Sequence, residues 1–166
     1  VPPENGFGSF SQAMHDNTPV IWTLSEPYGS RDWWPCKNGL TDKADSMDIF
    51  IRSPQGTRAA SNGILLSETT EGADIVAHWK HRYPIAPYLV CLAVTNYAFY
   101  SHEVPYGGDT LEVVNYIYHE DSASVASQTG IIVPLIQLFD TLFGIYPFQN
   151  EKYGHAQFGW GGGMEH

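Results

Sequence analysis

Short stretches of alternating side chains recur between Asn17 and about Asp121, and this pattern constrains the fold more than any other feature. In "SMDIFIRSP", every second residue from Met47 to Ile51 falls on one face of a strand, since side chains alternate across it. Turn sequences such as "SPQG", "SNG" and "PYGGD" separate the stretches. The other stretches are "PVIWTL", "ADIVAHWKHRY", "PYLVCLAVTNYAFY" and "TLEVVNYIYHE". The pattern predicts a mainly β fold of antiparallel sheets that meet face to face, as a sandwich or saddle.

The periodicity changes from strand-like to helical after Asp121. Asp121 and Ser122 suit a helix N-terminus, and apolar residues then recur at helical spacing as far as Phe143. The sequence predicts one helix of about 20 residues, which Pro134 kinks or restarts one turn later. Gly144 suits the end of this helix, and "HAQFGWGGGMEH" predicts one strand that runs into the glycines.

This arrangement is lopsided, because a long β region precedes a single helix and a single strand. A lone helix and strand do not form a domain, since each must bury its apolar side against another layer. We therefore expect a division between residues 1–120 and residues 121–166, with the second part incomplete in this chain.

Composition and charge exclude several classes of partner. The 166 residues are 43% hydrophobic, which is enough for a substantial core. The net charge of −10 offers no basic surface for nucleic acid or for anionic lipid. The most apolar run, "GIIVPLIQLF", is shorter than the roughly 18 residues that span a bilayer, and Pro134 and Gln137 interrupt it. We expect no nucleic-acid partner and no membrane span; compartment and oligomeric state are left open.

Local motifs supply no complete catalytic apparatus. Cys36 and Cys91 lie among apolar residues, which favours buried free thiols over a disulfide. His78 and His81 are three residues apart in a predicted strand, so they point to opposite faces and favour structural roles over a metal site. The sequence "HED" at 119–121 begins like the zinc motif H-E-x-x-H but lacks its second histidine.

Three stretches are more specific, and their order carries a resemblance. They are "LSEPYGSRDWWPCKNGLTDKADSMDIFI", then "SNG" at 61–63, and "GGGME" at 161–165. This order resembles the M1 family of zinc aminopeptidases, the gluzincins related to aminopeptidase N and leukotriene A4 hydrolase. Its members have E-P-x-x-A-R-x-W-x-P-C-x-D-x-P-x-x-K, then S-N-G, a strand like "APYLVCLAV", a helix and the exopeptidase motif G-x-M-E-N. The resemblance covers the chain from about Pro19 to Glu165.

The resemblance implies a domain organisation for the longer protein. In the family an N-terminal saddle-shaped β domain precedes a thermolysin-like α+β catalytic domain. Residues 1–120 would then be part of the first domain, and residues 121–166 would open the second. The family's H-E-x-x-H motif, its distant glutamate ligand and its catalytic tyrosine come later and do not occur in this chain. Zinc is therefore expected in the full-length enzyme, and this chain alone is expected to be inactive.

The resemblance also implies a substrate-binding set. Glu165 would be the glutamate of the exopeptidase motif and Glu26 the acidic residue of the β domain, and both would bind the α-ammonium of a peptide with a free N-terminus by charge-assisted hydrogen bonds. The adjacent glycines would let an extended substrate lie close along a strand edge. The complete expected set is Glu26, Gly161, Gly162, Gly163, Met164 and Glu165.

Three residues depart from the family pattern. His166 stands where the exopeptidase motif has asparagine, Asn38 replaces the acidic residue of P-C-x-D, and Ser30 replaces the alanine before Arg31. The Asn38 change is expected to alter a structural hydrogen bond or salt link. None of the three removes a carboxylate expected to bind the amine.

Other interpretations remain open at this point. The chain is alternatively a non-catalytic β-sandwich module that binds peptides or serves as a scaffold. A weaker alternative is a carbohydrate-binding sandwich, motivated by 10 tyrosines and 5 tryptophans. In these readings Glu165 is a surface carboxylate, Glu26 caps a turn or pairs with Arg31, and the tryptophans belong to the core.

Overall fold

The computed structural model describes residues 9–106 and 109–166. They form two compact units, one of residues 9–96 with Phe158–His166 and the other of Tyr97–Gln157. The described strands and helices, in chain order, are β1 Ser9–His15, β2 Thr18–Leu24, β3 Met47–Pro54, β4 Arg58–Ser61, β5 Ile64–Glu71, β6 Asp74–His81, β7 Leu92–Thr95, β8 Ala98–Tyr106, β9 Asp109–Ile117, α1 Ser122–Thr129, α2 Ile132–Phe143 and β10 Lys152–Ala156.

The first unit contains two antiparallel sheets, with strand orders β1-β2-β7-β4 and β3-β6-β5. Strand β3 has the predicted alternation, since Ile51 is buried while Asp48 and Arg52 on its other face are exposed. Val20 and Leu24 of β2 are each 1% exposed and belong to the core. The predicted mainly β, antiparallel fold is confirmed.

The "SNG" sequence at the end of β4 forms hydrogen bonds to the segment before β7, which pairs with β4 in the first sheet. The Asn62 side-chain amide donates to the Leu89 carbonyl (2.9 Å), and its oxygen accepts from the Cys91 backbone N–H (2.8 Å). The Ser61 hydroxyl donates to the Cys91 carbonyl (2.6 Å). These bonds satisfy backbone groups just before β7, so this motif holds the "APYLVCLAV" segment in place.

The two cysteines are free thiols, as predicted. Each is half-buried rather than buried. Burial raises the pKa of the Cys36 thiol, and the nearby Arg31 guanidinium offsets part of that rise. A thiol with a raised pKa stays protonated near neutrality and is a poor nucleophile.

The second unit is a three-stranded sheet, in the order β10-β9-β8, covered by helix. β8 and β9 pair antiparallel, with Tyr106 opposite Asp109 across the predicted "PYGGD" turn, of which Gly107 and Gly108 lie outside the described residues. β10 returns parallel to β9 after α1 and α2. The helix and strand thus share a core with β8 and β9, formed by Val104, Leu111, Val113 and Ile136. The expected division at 120/121 falls inside this unit and stays a prediction about the longer polypeptide.

The predicted helix consists of two helices, α1 and α2, that meet at Gly130 and Ile131. Pro134 lacks the N–H that would bond to the Gly130 carbonyl, and that carbonyl accepts instead from Val133 (3.4 Å). The helix therefore restarts just before the proline. α2 ends before Gly144, whose backbone angles (φ 95°, ψ 167°) lie in a region open to glycine and not to residues with a side chain.

The final strand lies earlier than predicted. β10 covers Lys152–Ala156, and the last backbone bond to its neighbour runs from Gln157 N–H to the Tyr116 carbonyl (2.9 Å). Gly161, Gly162 and Gly163 follow outside any strand. Glycine has no side chain to pack on a sheet and loses the most backbone entropy there, so strand pairing stops before this stretch.

By length and composition the helical stretch Ser122–Phe143 is apolar enough to cross a membrane, and 6% of its most apolar window is buried. A core helix of a soluble protein passes the same test, so this finding does not establish a span.

Candidate functional site

All the residues of the expected substrate-binding set belong to the first unit. Glu26 follows β2 by two residues, and Gly161–Glu165 form the end of the chain. Glu26 is half-buried, and its peptide bond to Pro27 is cis. Met164 is half-buried, whereas Glu165 and the three glycines are exposed.

The segment after Glu26 folds into a compact turn. The Gly29 N–H donates to the Ser25 carbonyl (2.8 Å), and the Trp33 indole N–H donates to the Ser25 hydroxyl (2.8 Å). A short 3-10 helix, Ser30–Asp32, lies between these residues. Glu26 is therefore held at one end of a hydrogen-bonded turn, and half-buried Trp33 packs within that turn rather than serving as an open ligand platform.

Asn38 supports the same turn. Its side-chain amide donates to the Tyr28 carbonyl (2.8 Å), two residues beyond Glu26. An ionised aspartate at this position would have no donor for that carbonyl. The departure from the family's P-C-x-D pattern thus corresponds to a side chain-to-backbone hydrogen bond in this protein.

The two carboxylates form no ion pair within the described part of the chain, and the charge of Glu165 acts on the neighbouring His166 ring. Among residues 9–106 and 109–166, neither Glu26 nor Glu165 accepts a hydrogen bond or forms an ion pair, so the pairing of Glu26 with Arg31 is not observed. A carboxylate without an internal partner keeps all its acceptor capacity for a ligand. An ammonium group has three N–H donors and is a suitable ligand for a carboxylate.

Aromatic rings attach the C-terminal segment to strand β2. The Trp22 and Phe158 rings stack with centroids 5.8 Å apart and an interplanar angle of 26°. Phe158 in turn stacks with Trp160, at 6.4 Å and 10°. A Cβ added to Gly159 would lie 3.7 Å from the Trp22 ring, so residues 158–160 pack along this strand. We call Trp22, Phe158 and Trp160 the aromatic stack.

The three consecutive glycines have different surroundings. A Cβ at Gly162 would lie 2.5 Å from the Trp160 ring, which explains why this position has no side chain. A Cβ at Gly161 or Gly163 would meet nothing within 4 Å. Two of the three glycines therefore have open space beside them, while the third makes room for an indole ring.

The histidine pair does not fit a metal. His78 and His81 project from opposite faces of β6, because they are three residues apart in a strand. His78 Nε2 lies 2.8 Å from Asp48 Oδ1, and the Lys80 ammonium donates to Asp48 Oδ2 (2.6 Å). The hydrogen bond from Lys80 makes the largest contribution and that from His78 the next, and together they hold the pKa of Asp48 below its usual value. The group is an exposed cross-strand network.

Sequence reasoning missed the aromatic stack. Trp22 is 136 positions away from Phe158 in the numbering, and neither residue belongs to a motif. The only local signal is "FGW" at 158–160, in which two large aromatic residues flank a glycine just before the glycine run.

No protein-family model and no curated protein matches this chain. Solved structures do match it. One is a two-domain M1 zinc metallopeptidase variant bound to L-tryptophan, with a TM-score of 0.76, 21% identity, 93% of this chain covered and 36% of that chain covered. A second variant, bound to L-arginine, has a TM-score of 0.72 and 22% identity over 86% of this chain and 33% of that chain. A third, from Deinococcus radiodurans and bound to a Tyr-Ser-Ala substrate, has a TM-score of 0.71 and 23% identity over 81% of this chain and 31% of that chain.

These matches confirm the expected fold. The chain has the fold of M1 zinc metallopeptidase structures over most of its length, and it spans about a third of the length of those structures.

Proposed function

We propose that this chain is part of an M1-type zinc aminopeptidase and that it supplies the recognition of the substrate's free N-terminus. The observation that carries the proposal is the agreement between two independent features. The ordered motifs from Glu26 to Glu165 and the fold similarity over 93% of the chain point to one class of protein.

The surroundings of the expected residues support this role. Glu26 and Glu165 lie in the same compact unit, and neither carboxylate accepts a hydrogen bond or forms an ion pair among the described residues. An α-ammonium would satisfy both by charge-assisted hydrogen bonds, whereas an internal peptide nitrogen has one donor and no charge. The space beside Gly161 and Gly163 would admit the main chain of an extended peptide. A backbone N–H of this stretch would assist a developing oxyanion.

The matched structures also favour a peptide ligand. Two of them hold free amino acids and one holds a tripeptide substrate. Free amino acids and a short peptide all have an α-ammonium, so these ligands are consistent with N-terminal recognition.

Zinc belongs to the longer polypeptide in this proposal. Zinc polarises a scissile carbonyl and activates water in such enzymes. The H-E-x-x-H sequence that would hold it does not occur in these 166 residues, and His78 with His81 cannot replace it. The residues of this chain therefore bind and orient the substrate, and no bond-breaking step is assigned to them.

The first test is to sequence the encoding gene beyond His166. We expect H-E-x-x-H within a few tens of codons, followed by a glutamate about 20 residues later, as the resemblance implies. A stop codon or an unrelated domain would withdraw the peptidase proposal and would leave a peptide-binding or scaffold module.

The second test is Glu165→Gln in the full polypeptide. The loss of one charge-assisted hydrogen bond is expected to lower kcat/KM for an aminoacyl arylamide by about 10- to 100-fold. The matched control is Glu68→Gln, an equally exposed carboxylate on β5, and it should leave kcat/KM unchanged. Equal activity of the two variants would contradict the assignment of Glu165.

A further inference from the structure

The aromatic stack forms a continuous link between two segments that are distant in sequence. Trp22 is 8% exposed and lies in β2, which pairs with β1 on one side and with β7 on the other. Phe158 stacks on Trp22 and is half-buried. Trp160 is the outermost ring of the stack, and 37% of its surface is exposed. The link therefore begins in the sheet and ends at the surface, next to Gly161.

We propose that the aromatic stack is a positioning device for Glu165, in that it fixes the segment Gly161–Glu165 relative to β2 and to Glu26. Trp22 precedes Glu26 by four residues, and Trp160 precedes Glu165 by five. The inference rests on the proposed function, because it concerns how the two carboxylates come to bind one ammonium group.

The glycine run makes such an anchor necessary. Three successive glycines have the largest backbone freedom of any sequence, so a carboxylate beyond them would sample many positions. Each aromatic pair adds a stacking attraction beyond the area that it buries. The two consecutive aromatic pairs thus restrict the backbone conformations of the short segment that leads to Glu165.

Gly162 also contacts the aromatic stack. Its Cα lies so close to the Trp160 ring that an added Cβ would be 2.5 Å from it. The indole is therefore in contact with the middle of the glycine run as well as with Phe158. Only Gly163 and Met164 separate this contact from Glu165, so the stack limits where the carboxylate can lie.

The exposure of the stack argues against a purely structural role. A core residue gains its stability from complete burial, but Trp160 and Phe158 keep part of their surface accessible. None of the three rings is proposed to touch the substrate. Their effect would act through Glu165, and it should appear in the selectivity for an ammonium group rather than in stability alone.

The test compares two inhibitors of the full polypeptide, L-tryptophanamide and its des-amino analogue indole-3-propanamide. The ratio of their inhibition constants measures recognition of the ammonium group, and it does not depend on the fraction of folded protein. Phe158→Leu keeps an apolar side chain but removes the ring, and we expect it to reduce the ratio by about tenfold, as a misplaced binding group would. Phe158→Tyr keeps the ring and should keep the ratio.

Phe50→Leu is the matched control. Phe50 stacks on His78 with centroids 4.2 Å apart, in the sheet formed by β3, β6 and β5. The chemical change is the same as at position 158, but it is not part of the aromatic stack. We expect this variant to retain the inhibitor ratio of the unmodified enzyme, even if its thermal stability falls.

A second variant keeps the test decisive if Phe158→Leu fails to fold. Trp160→Leu removes a partly exposed ring, and it should reduce the inhibitor ratio with little loss of stability. An unchanged ratio in folded Phe158→Leu or Trp160→Leu, together with a reduced ratio in Glu165→Gln, would overturn the positioning role and leave the proposed function intact. A ratio near one in the unmodified enzyme would overturn both.

Discussion

Ser25 and Ser30 are both almost fully buried, at 1% and 0% exposure, but their hydroxyl groups are placed differently. The Ser25 hydroxyl accepts the Trp33 indole N–H at 2.8 Å. The Ser30 hydroxyl has no hydrogen-bond partner among the described residues. A buried hydroxyl without a hydrogen-bond partner destabilises the folded state, whereas a hydroxyl that accepts from an indole N–H stabilises it.

We therefore predict that Ser30→Ala, which restores the alanine of the family pattern, raises the free energy of unfolding by about 1 kcal/mol. The control Ser25→Ala should lower it by about 1–2 kcal/mol, because it leaves the Trp33 indole N–H unpaired. Urea unfolding of both variants measures the difference. A loss of stability on Ser30→Ala would mean that this hydroxyl is satisfied after all.

At the scale of the element, a polar network lies on one face of the second unit's sheet. The Asn115 amide donates to the Val113 carbonyl (3.1 Å) and the Tyr100 carbonyl (3.4 Å), so its oxygen accepts from His155 Nδ1 (2.9 Å). His155 thus carries a proton on Nδ1. Burial, with a smaller contribution from the charge of nearby His102, lowers the pKa of His155.

The lowered pKa predicts a pH dependence of stability. The unfolded chain takes up the His155 proton below its ordinary pKa of about 6.5, while the folded chain resists it until a lower pH. The unfolding free energy should therefore fall as pH drops below about 6.5, and the loss should end below the folded-state pKa. Denaturant unfolding between neutral and acidic pH measures this slope.

His155→Asn should reduce this slope, because an amide nitrogen replaces Nδ1 as donor and does not titrate in this range; His166, whose pKa is lowered to about 4, contributes the remainder. The matched control is His119→Asn, at an exposed histidine, and it should keep the slope of the unmodified chain. Identical slopes in all three proteins would rule out His155 as the titrating group.

Helix α2 is apolar on both its inner and its outer faces. Ile136 packs in the core of the second unit, but Leu138, Phe139, Leu142 and Phe143 are 49%, 52%, 60% and 80% exposed. A helix that is apolar all round is typical of one covered by protein on several sides. Large exposed apolar patches promote association when that cover is missing.

We predict that the purified 166-residue chain self-associates through this outer face. The double variant Leu142→Glu/Phe143→Glu should weaken association at least tenfold, because it places two charges where apolar surface would be buried. Thr141→Glu, on the same helix turn, is the control and should have a small effect. Light scattering across a concentration series measures association, and a monomer at all concentrations would contradict the prediction.

At the scale of the whole molecule, the chain spans about a third of the structures whose fold it shares. Its proposed contribution is substrate recognition, and the sequence lacks the zinc-binding H-E-x-x-H. We predict that the isolated 166-residue chain releases no amino acid from a peptide, with or without added zinc. Zinc-dependent release by this chain would refute the prediction, and the full polypeptide is the positive control.

Much of the fold could be predicted because it depends on local sequence. The alternation in β3 and the glycine that terminates α2 are determined within a few residues. The position of β10 could not be predicted, because a strand forms only where a neighbour accepts its hydrogen bonds. Its partner β9 ends at Ile117, and Lys152–Ala156 rather than the glycine run lies beside it.

The candidate site, too, could be predicted from the sequence only in part. Sequence by itself determined its residue types, the two carboxylates and the glycines, together with the ordered motifs that contain them. Only the tertiary structure decided what surrounds them: that Gly162 makes room for Trp160, that Trp22 and Phe158 stack, and that Ser30 is buried without a partner. The stacking of Trp22 on Phe158 joins residues that are far apart in the chain, and its packing energy arises only when folding brings them together.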